Sequence, residues 1–303
     1  MESAHLGILA HLGILFVAAM FAGGMNALAG GGTFFSFPAL MALGVPAILS
    51  NATNAVCVTP GHALAAIVYK RELARSPRRL IMCTIAASFG AIIGAWLLSV
   101  TDEKTFKILV PWLLLVATLM FAFGPLVQRR TQQLAKEHQK VISTDPNVVG
   151  NNPKSWLGYA LASIYGGYFG AGQGIVLMTI VTLSGVEDLQ EANAIKNAVA
   201  TIVSLIAVFI LASKGLILWN YGILMLIGAV LGGYLGGKFA KGLSKQALRN
   251  FVLAIASFLT IVYFWTTYVL PATTRSSDRS AASESWRGRL RGANEASWAH
   301  AYP

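Results

Sequence analysis

Charge is what this chain has least of. Charged residues make up 12% of its 303 residues, about half the roughly 25% usual in soluble domains. With 55% hydrophobic residues and a mean hydropathy of +0.62, a water-soluble globule would expose apolar surface on every side and aggregate. That excludes a soluble enzyme and a soluble binding module. Cysteine is scarce too. Cys57 and Cys83 each sit alone inside an apolar run, which gives neither a disulfide framework nor a CxxC metal site. Acid is essentially absent from the apolar runs, because the 12 Asp and Glu lie in loops, tails or helix ends. An ionised carboxylate at the bilayer centre costs several kcal/mol and is kept mainly for function. Without one a cation or proton pump is hard to build, and an anion is the easier cargo. No HExxH, GxSxG, paired intramembrane aspartate or Cys/His cluster occurs, so no enzyme chemistry, metal or cofactor is expected.

What is present is positive charge, and it is unevenly placed. The net charge is +11, yet the basic residues gather in short connections between apolar runs, as cytoplasmic loops do. This pattern reads as a topology signal with anionic-lipid contact, not as a nucleic-acid surface. The amino terminus, MESAHLGILAHLGILF, lacks the positive n-region of a leader and reads as a first membrane segment.

Apolar runs fall at roughly 7–29, 33–49, 52–69, 80–100 and 107–127, and again at roughly 156–171, 174–186, 193–213, 217–237 and 248–270, against the ~20 residues that a spanning helix needs. The expected organisation is a first membrane repeat over 1–127, a polar cytoplasmic linker over 128–155, a second membrane repeat over 156–270 and a disordered polar tail over 271–303. The two series read as copies. Gly30 and Gly32 recur as Gly172 and Gly174, Asn54-Ala-Val recurs at Asn197, and GAIIGAWL from Gly90 recurs as GAVLGGYL from Gly228. The expected fold is therefore an all-α polytopic membrane protein of 8–10 segments: two homologous repeats of about four transmembrane helices, each with a broken short helix or re-entrant hairpin.

The second run of each copy is short. TFFSFPALMALGV holds Pro38 between Gly32 and Gly44, and GIVLMTIVTLSGV lies between Gly174 and Gly185. Thirteen helical residues reach about 20 Å, less than a ~30 Å hydrocarbon core. Such interrupted segments at matching repeat positions point to a transporter's binding site. Topology turns on how they are counted. The loop KRELARSPRR carries five positive residues, the central linker five and Lys238 to Arg249 four. All three are cytoplasmic together only if the halves are inverted, which places the Arg-rich tail outside. Parallel halves keep the tail inside.

The candidate substrate residues follow from these breaks. Gly30-Gly31-Gly32 and Gly172-Gln173-Gly174 free backbone N–H groups and each starts a short helix, whose N-terminus attracts anions. Gln173 can add a side-chain donor. The alternative is that these glycines only permit close packing. Asn51, Thr53, Asn54, Asn193 and Asn197 crowd the starts of two otherwise apolar helices, more than one N-cap needs. Lys196 lies in a first turn, where the dipole disfavours a cation. It could pair with an anionic substrate, bridge to Glu191 or Asp188, or snorkel to headgroups. His11 and His62 are the only histidines in apolar runs and read as neutral packing groups, with a coupling proton as the alternative. Gly90/Gly94 and Gly228/Gly232/Gly236 read as close-packing faces.

Taken together, GGMNALAGGGTFFSFPAL, SNATNAVCVTPGHALAAIVYKREL, YGGYFGAGQGIVLM and ANAIKNAVATIVS resemble the sulfite exporter TauE/SafE family of bacterial permeases over roughly residues 10–270. This chain has Ala55 where many members carry a lysine, and Gln173 where a small residue is usual. The resemblance implies a multi-pass permease of the cell membrane that moves sulfite or organosulfonates, usually outward. A secondary transporter for small sulfur anions, working by alternating access, is the first expectation. A passive anion channel, or a permease for another small anion, is the alternative. The partners expected are a small anion and the lipid bilayer, with no nucleic acid; a homo-oligomer stays open.

Overall fold

The computed structural model describes residues 2–28, 31–139, 153–186, 188–239 and 244–269. Among the described residues there are helices and no strands. They are α1 (Glu2–Leu28), α2 (Thr33–Ala42), α3 (Ala47–Val68), α4 (Lys70–Leu73), α5 (Pro77–Val100), α6 (Glu103–Gln139), α7 (Pro153–Tyr168), α8 (Gln173–Leu183), α9 (Leu189–Ser213), α10 (Trp219–Phe239) and α11 (Lys245–Phe264), the last continuing into a π-helical turn at Trp265–Val269. The apolar runs thus become helices with ends close to those read from hydropathy. One run, 33–49, divides into α2 and the first turn of α3. Helix α6 continues past Val127 through the polar QRRTQQLAKEHQ to Gln139, so the start of the linker is helical. The proposed tail, 271–303, and Gly30 lie outside the described residues.

Among the described residues five helices are long and apolar enough to cross a bilayer by length and composition: α5, α6 over Glu103–Thr131, α9, α10 over Trp219–Gly236, and α11 with its π turn over Gln246–Val269. Their outer faces expose large apolar side chains; Phe209 is 75% exposed and Phe258 65%, a surface suited to lipid. Helix α3 is of similar length, but its polar residues Ser50, Asn51, Thr53 and Asn54 are buried inside the protein.

Contacts fix the helix directions. Helices α1 and α10 run parallel, because Gly228, Gly232 and Gly236 meet Phe16, Met20 and Gly24 in order. Helices α5 and α7 also run parallel, with Gly90 against Ala160 and Gly94 against Ile164. At Gly94 and Gly232 a Cβ would overlap a backbone carbonyl of the facing helix. Both glycine faces therefore pack one series of helices directly onto the other. Helices α6 and α11 are antiparallel: Trp112 Nε1 donates to Tyr268 Oη, Thr118 and Thr260 share a hydrogen bond, and Arg249 Nη2 donates to the Ala122 carbonyl. Helices α3 and α9 are antiparallel as well, since His62 faces Lys196 and Asn197 while Asn51 and Asn54 lie with Ser204 and Leu211.

The start of α3 shares a side with the start of α6, where the Glu103 carboxylate accepts from the amides of Ala47 (2.6 Å) and Ile48 (3.1 Å). Those are orphan amides of a helix N-terminus, and a carboxylate there also suits the dipole. With the directions above, the connections α3–α5, α6–α7 and α10–α11 all begin and end on one face. These are the three basic segments.

Candidate functional site

The two short helices are what the fold arranges around α3 and α9. Helix α2 has 10 residues and α8 has 11, about 15–17 Å each, half of a hydrocarbon core. Each begins with a left-handed glycine, Gly31 at φ +84° and Gly172 at φ +76°, a conformation that a Cβ disfavours. Each glycine carbonyl accepts the first turn's hydrogen bond, from Phe34 (3.1 Å) and Ile175 (3.0 Å). The first residues of the two helices, Thr33 and Gln173, then line the same buried cavity, with Asn51, Asn54 and Ser204 as its other polar side chains. Its volume is about 20 Å³, room for about one water molecule.

Asn51 is held by one half of its amide. Its Nδ2 donates to the Tyr168 carbonyl at 2.9 Å, so its Oδ1 is the atom left over. That oxygen is buried and has no hydrogen-bond partner among the described residues. Asn54 is turned the other way: its Oδ1 accepts from the Ser36 hydroxyl, which leaves its amide nitrogen as the free donor. Gln173 Nε2 reaches Ser204 Oγ at 3.4 Å, and its Oε1 is buried without a partner. Gly166 makes room for that oxygen, since a Cβ there would collide with it.

A second cluster lies along the same seam, about 12 Å up α3 from Asn54 by helical rise. Lys196 is half-buried, with His62 and Asn197 against it, and Asn197 Nδ2 donates to Asn193 Oδ1 at 3.3 Å. A Cβ at Gly174 would sit 3.9 Å from Lys196 Cδ, so the start of α8 touches this cluster as well as the cavity. The two acids that could have paired with the lysine are engaged elsewhere. Asp188 holds Arg75 at 3.0 Å, and Glu191 holds Arg79 at 3.5 Å and Ser76 at 2.6 Å. Among the described residues no carboxylate forms an ion pair with Lys196.

Of the residues singled out from sequence, the structure brings Asn51, Asn54 and Gln173 together at the cavity and Gly174, Asn193, Lys196 and Asn197 together above it. Gly31 and Gly172 shape the turns before the short helices. Gly32 packs against Ala22 and Asn26 of α1. Thr53 points away: its hydroxyl accepts from the Leu218 amide at 3.1 Å and ties α3 to the start of α10. Sequence reasoning missed Thr33, Ser204 and Gly166. Ser204 stands seven residues after Asn197 on one helix face, a spacing that could have pointed to it. No group of three His, Cys, Asp or Glu gathers among the described residues.

The profile of the family described as "Sulfite exporter TauE/SafE" matches residues 15–263, nearly the whole helical body. The chain belongs to the sulfite exporter TauE/SafE family. Its relatives agree on the broader class. It is 30% identical over 255 residues to a "Probable membrane transporter protein" of Haemophilus influenzae, covering 82% of this chain and 92% of that one. It is 27% identical over 252 residues to "Probable membrane transporter protein ORF9" of a Sinorhizobium species, covering 82% and 91%. It is 27% identical over 256 residues to "Probable membrane transporter protein YfcA" of Escherichia coli K12, covering 82% and 88%. No solved structure matches. This TauE/SafE chain is thus an integral membrane protein of a transporter family, and its two polar clusters lie inside the helical body, on the seam where the short helices start.

Proposed function

We propose that this TauE/SafE protein is a secondary transporter of the cell membrane that moves small sulfur-containing anions, sulfite or organosulfonates, outward by alternating access. The observation that carries the reading is that both short helices begin on the α3–α9 seam, the start of α8 touching a lysine that has no carboxylate partner among the described residues. Helix N-termini present unpaired amides and a positive dipole end, and broken helices near the middle of a membrane protein are how transporters hold anionic groups. In this reading Lys196 supplies the charge, while Asn193, Asn197 and the amide of Gly174 at the start of α8 replace the anion's hydration. Thr53 shapes the helix that carries Asn54. The cavity below, about 20 Å³, is smaller than such an anion, so the anion is read onto the upper cluster, and the halves must part to load it.

The halves themselves are read as an inverted duplication. Three hydrogen bonds end α2, from Leu43 to Ala39, Gly44 to Met41 and Val45 to Leu40. The same three end α8, from Ser184 to Ile180, Gly185 to Thr182 and Val186 to Val181, each 141 residues on. Helix α1 lies on α10 as α7 lies on α5. Antiparallel pairing of α3 with α9 and of α6 with α11 supports inversion. The three basic connections on one face then read as cytoplasmic.

The test is sulfite flux in liposomes holding the purified protein, with and without a pH gradient, and with sulfoacetate and chloride as competitors. Saturable, gradient-responsive flux blocked by sulfoacetate is the expected result. No flux of any of these anions, from protein shown to be folded, overturns the substrate assignment. Flux insensitive to every opposing gradient makes the protein a channel.

A further inference from the structure

The cavity at the foot of the seam carries acceptors that nothing described satisfies. Asn51 Oδ1 and Gln173 Oε1 are buried without hydrogen-bond partners among the described residues, both residues line the cavity, and each is only 4% exposed. Asn51 cannot turn its nitrogen inward without losing a hydrogen bond. The Asn51 amide nitrogen is committed to the Tyr168 carbonyl, and a carbonyl oxygen can only accept. Gln173 Nε2 is directed at Ser204, and its oxygen occupies the space that Gly166 leaves. Burying an acceptor unpaired costs free energy, and two at one small cavity define a place for something that only donates or is positive. The backbone brings both poles to the cavity, because the first residues of α2 and α8 line it and so does the end of α7. Gly166, Gly167 and Gly170, at the C-terminal end of α7, line the same cavity, and the C-terminal end of a helix carries the negative pole of its dipole.

We propose that this cavity is a binding site for a small monovalent cation of sodium's size, held by Asn51 Oδ1, Gln173 Oε1 and the α7 end. Hard cations take oxygen ligands. In broken-helix transporters the unwound carbonyls and helix C-terminal ends coordinate sodium while the N-termini face the anionic substrate. This arrangement needs no intramembrane carboxylate, and among the described residues none lines the cavity. It deepens the transport reading, because a cation between the acceptor pair and the seam's anion neutralises a charge that the low-dielectric interior disfavours.

Cation binding can be read without any transported anion. The full-length protein, purified in detergent, is titrated with NaCl in choline chloride at constant ionic strength, following melting temperature and radioactive sodium binding, with KCl as the comparison. The expected result is saturable sodium binding, at least tenfold tighter than potassium. Gln173→Met should weaken it at least tenfold, and Gln173→Glu, which puts a carboxylate at the same position, should tighten it at least tenfold. Melting in choline alone reports whether each variant is folded. Absence of sodium-selective binding in the wild type overturns the proposal, a water then bridging the two oxygens. Sodium binding unchanged in both folded Gln173 variants overturns it too. Sodium binding without sulfite flux supports the cation site and overturns only the substrate assignment, whereas sulfite flux without sodium binding does the reverse.

Discussion

The two ends of the α3–α9 seam are made from similar sequence and do different things. At the lower end, Asn51 and Asn54 sit where α3 starts, and at the upper end Asn193, Lys196 and Asn197 sit where α9 starts. Both look like polar helix starts beside a glycine break. In the structure the lower end offers unpaired acceptor oxygens beside a cavity, while the upper end offers a lysine facing a histidine, with two hydrogen-bonded asparagines on the same helix. The difference comes from neighbours. Asn51 is turned by a carbonyl at the end of α7. Lys196 is left unneutralised because the basic α4–α5 segment takes up both nearby acids. A polar residue's type does not set its role; the partner that claims part of its hydrogen-bonding capacity does.

The sharpest way to break the comparison is at the upper end. Lys196→Ala should lower sulfite transport at least tenfold in liposomes while changing the melting temperature little, and Lys196→Arg should retain more of it than Ala. Unchanged transport kinetics in a folded Lys196→Ala protein would remove the lysine from the anion's path and leave the two ends chemically alike.

The next test concerns why the upper end stays positive. The Arg79–Glu191 pair is largely shielded, with side chains 9% and 15% exposed, whereas Arg75–Asp188 is open at 60% and 42%. Removing Arg79 strands a partly buried carboxylate, so Arg79→Ala should cost roughly 1.5–3 kcal/mol. Arg75→Ala should cost about 1 kcal/mol or less, as exposed pairs do. Chemical denaturation of the two variants in one detergent makes the comparison, and equal losses would refute the assignment of Arg79 as the structural anchor.

The smallest effect belongs to Thr53, which shares a helix with Asn51 and Asn54 but faces α10. Thr53→Val leaves the Leu218 amide without its acceptor and should cost about 1 kcal/mol, with the apparent KM for the transported anion unchanged. A several-fold rise in KM without loss of stability would return Thr53 to the binding residues.

Much of the fold was legible because the bilayer limits the choices. Hydropathy located every helix but the short, charged α4, the short runs around Pro38 and Thr179 became the half-length helices, and the glycines at 90, 94, 228 and 232 became close helix contacts. Lys196 stood out because a cation in a first turn works against the dipole. What stayed hidden depends on which helix lies opposite. Thr53 and Asn54 are adjacent in sequence, and helical geometry sends them to different neighbours, one to the α10 start and one to Ser36. Glu103 gave no sign that it would cap α3 from 55 residues away. The polar run after Val127 read as loop by composition, yet it continues α6, because helical hydrogen bonding propagates once a long apolar segment has nucleated it.

Composition and run length, then, determined that this chain lives in a membrane as helices, because lipid offers no partner for an unpaired backbone amide and leaves few other solutions. They also determined where the helices break, since glycine alone takes the left-handed turn without penalty. Which ends meet, which asparagine shows its oxygen and which its nitrogen, and which charge is left unpaired were decided only by the tertiary structure. Hydrogen bonds and ion pairs are short-ranged, and they act between residues that the fold alone makes neighbours.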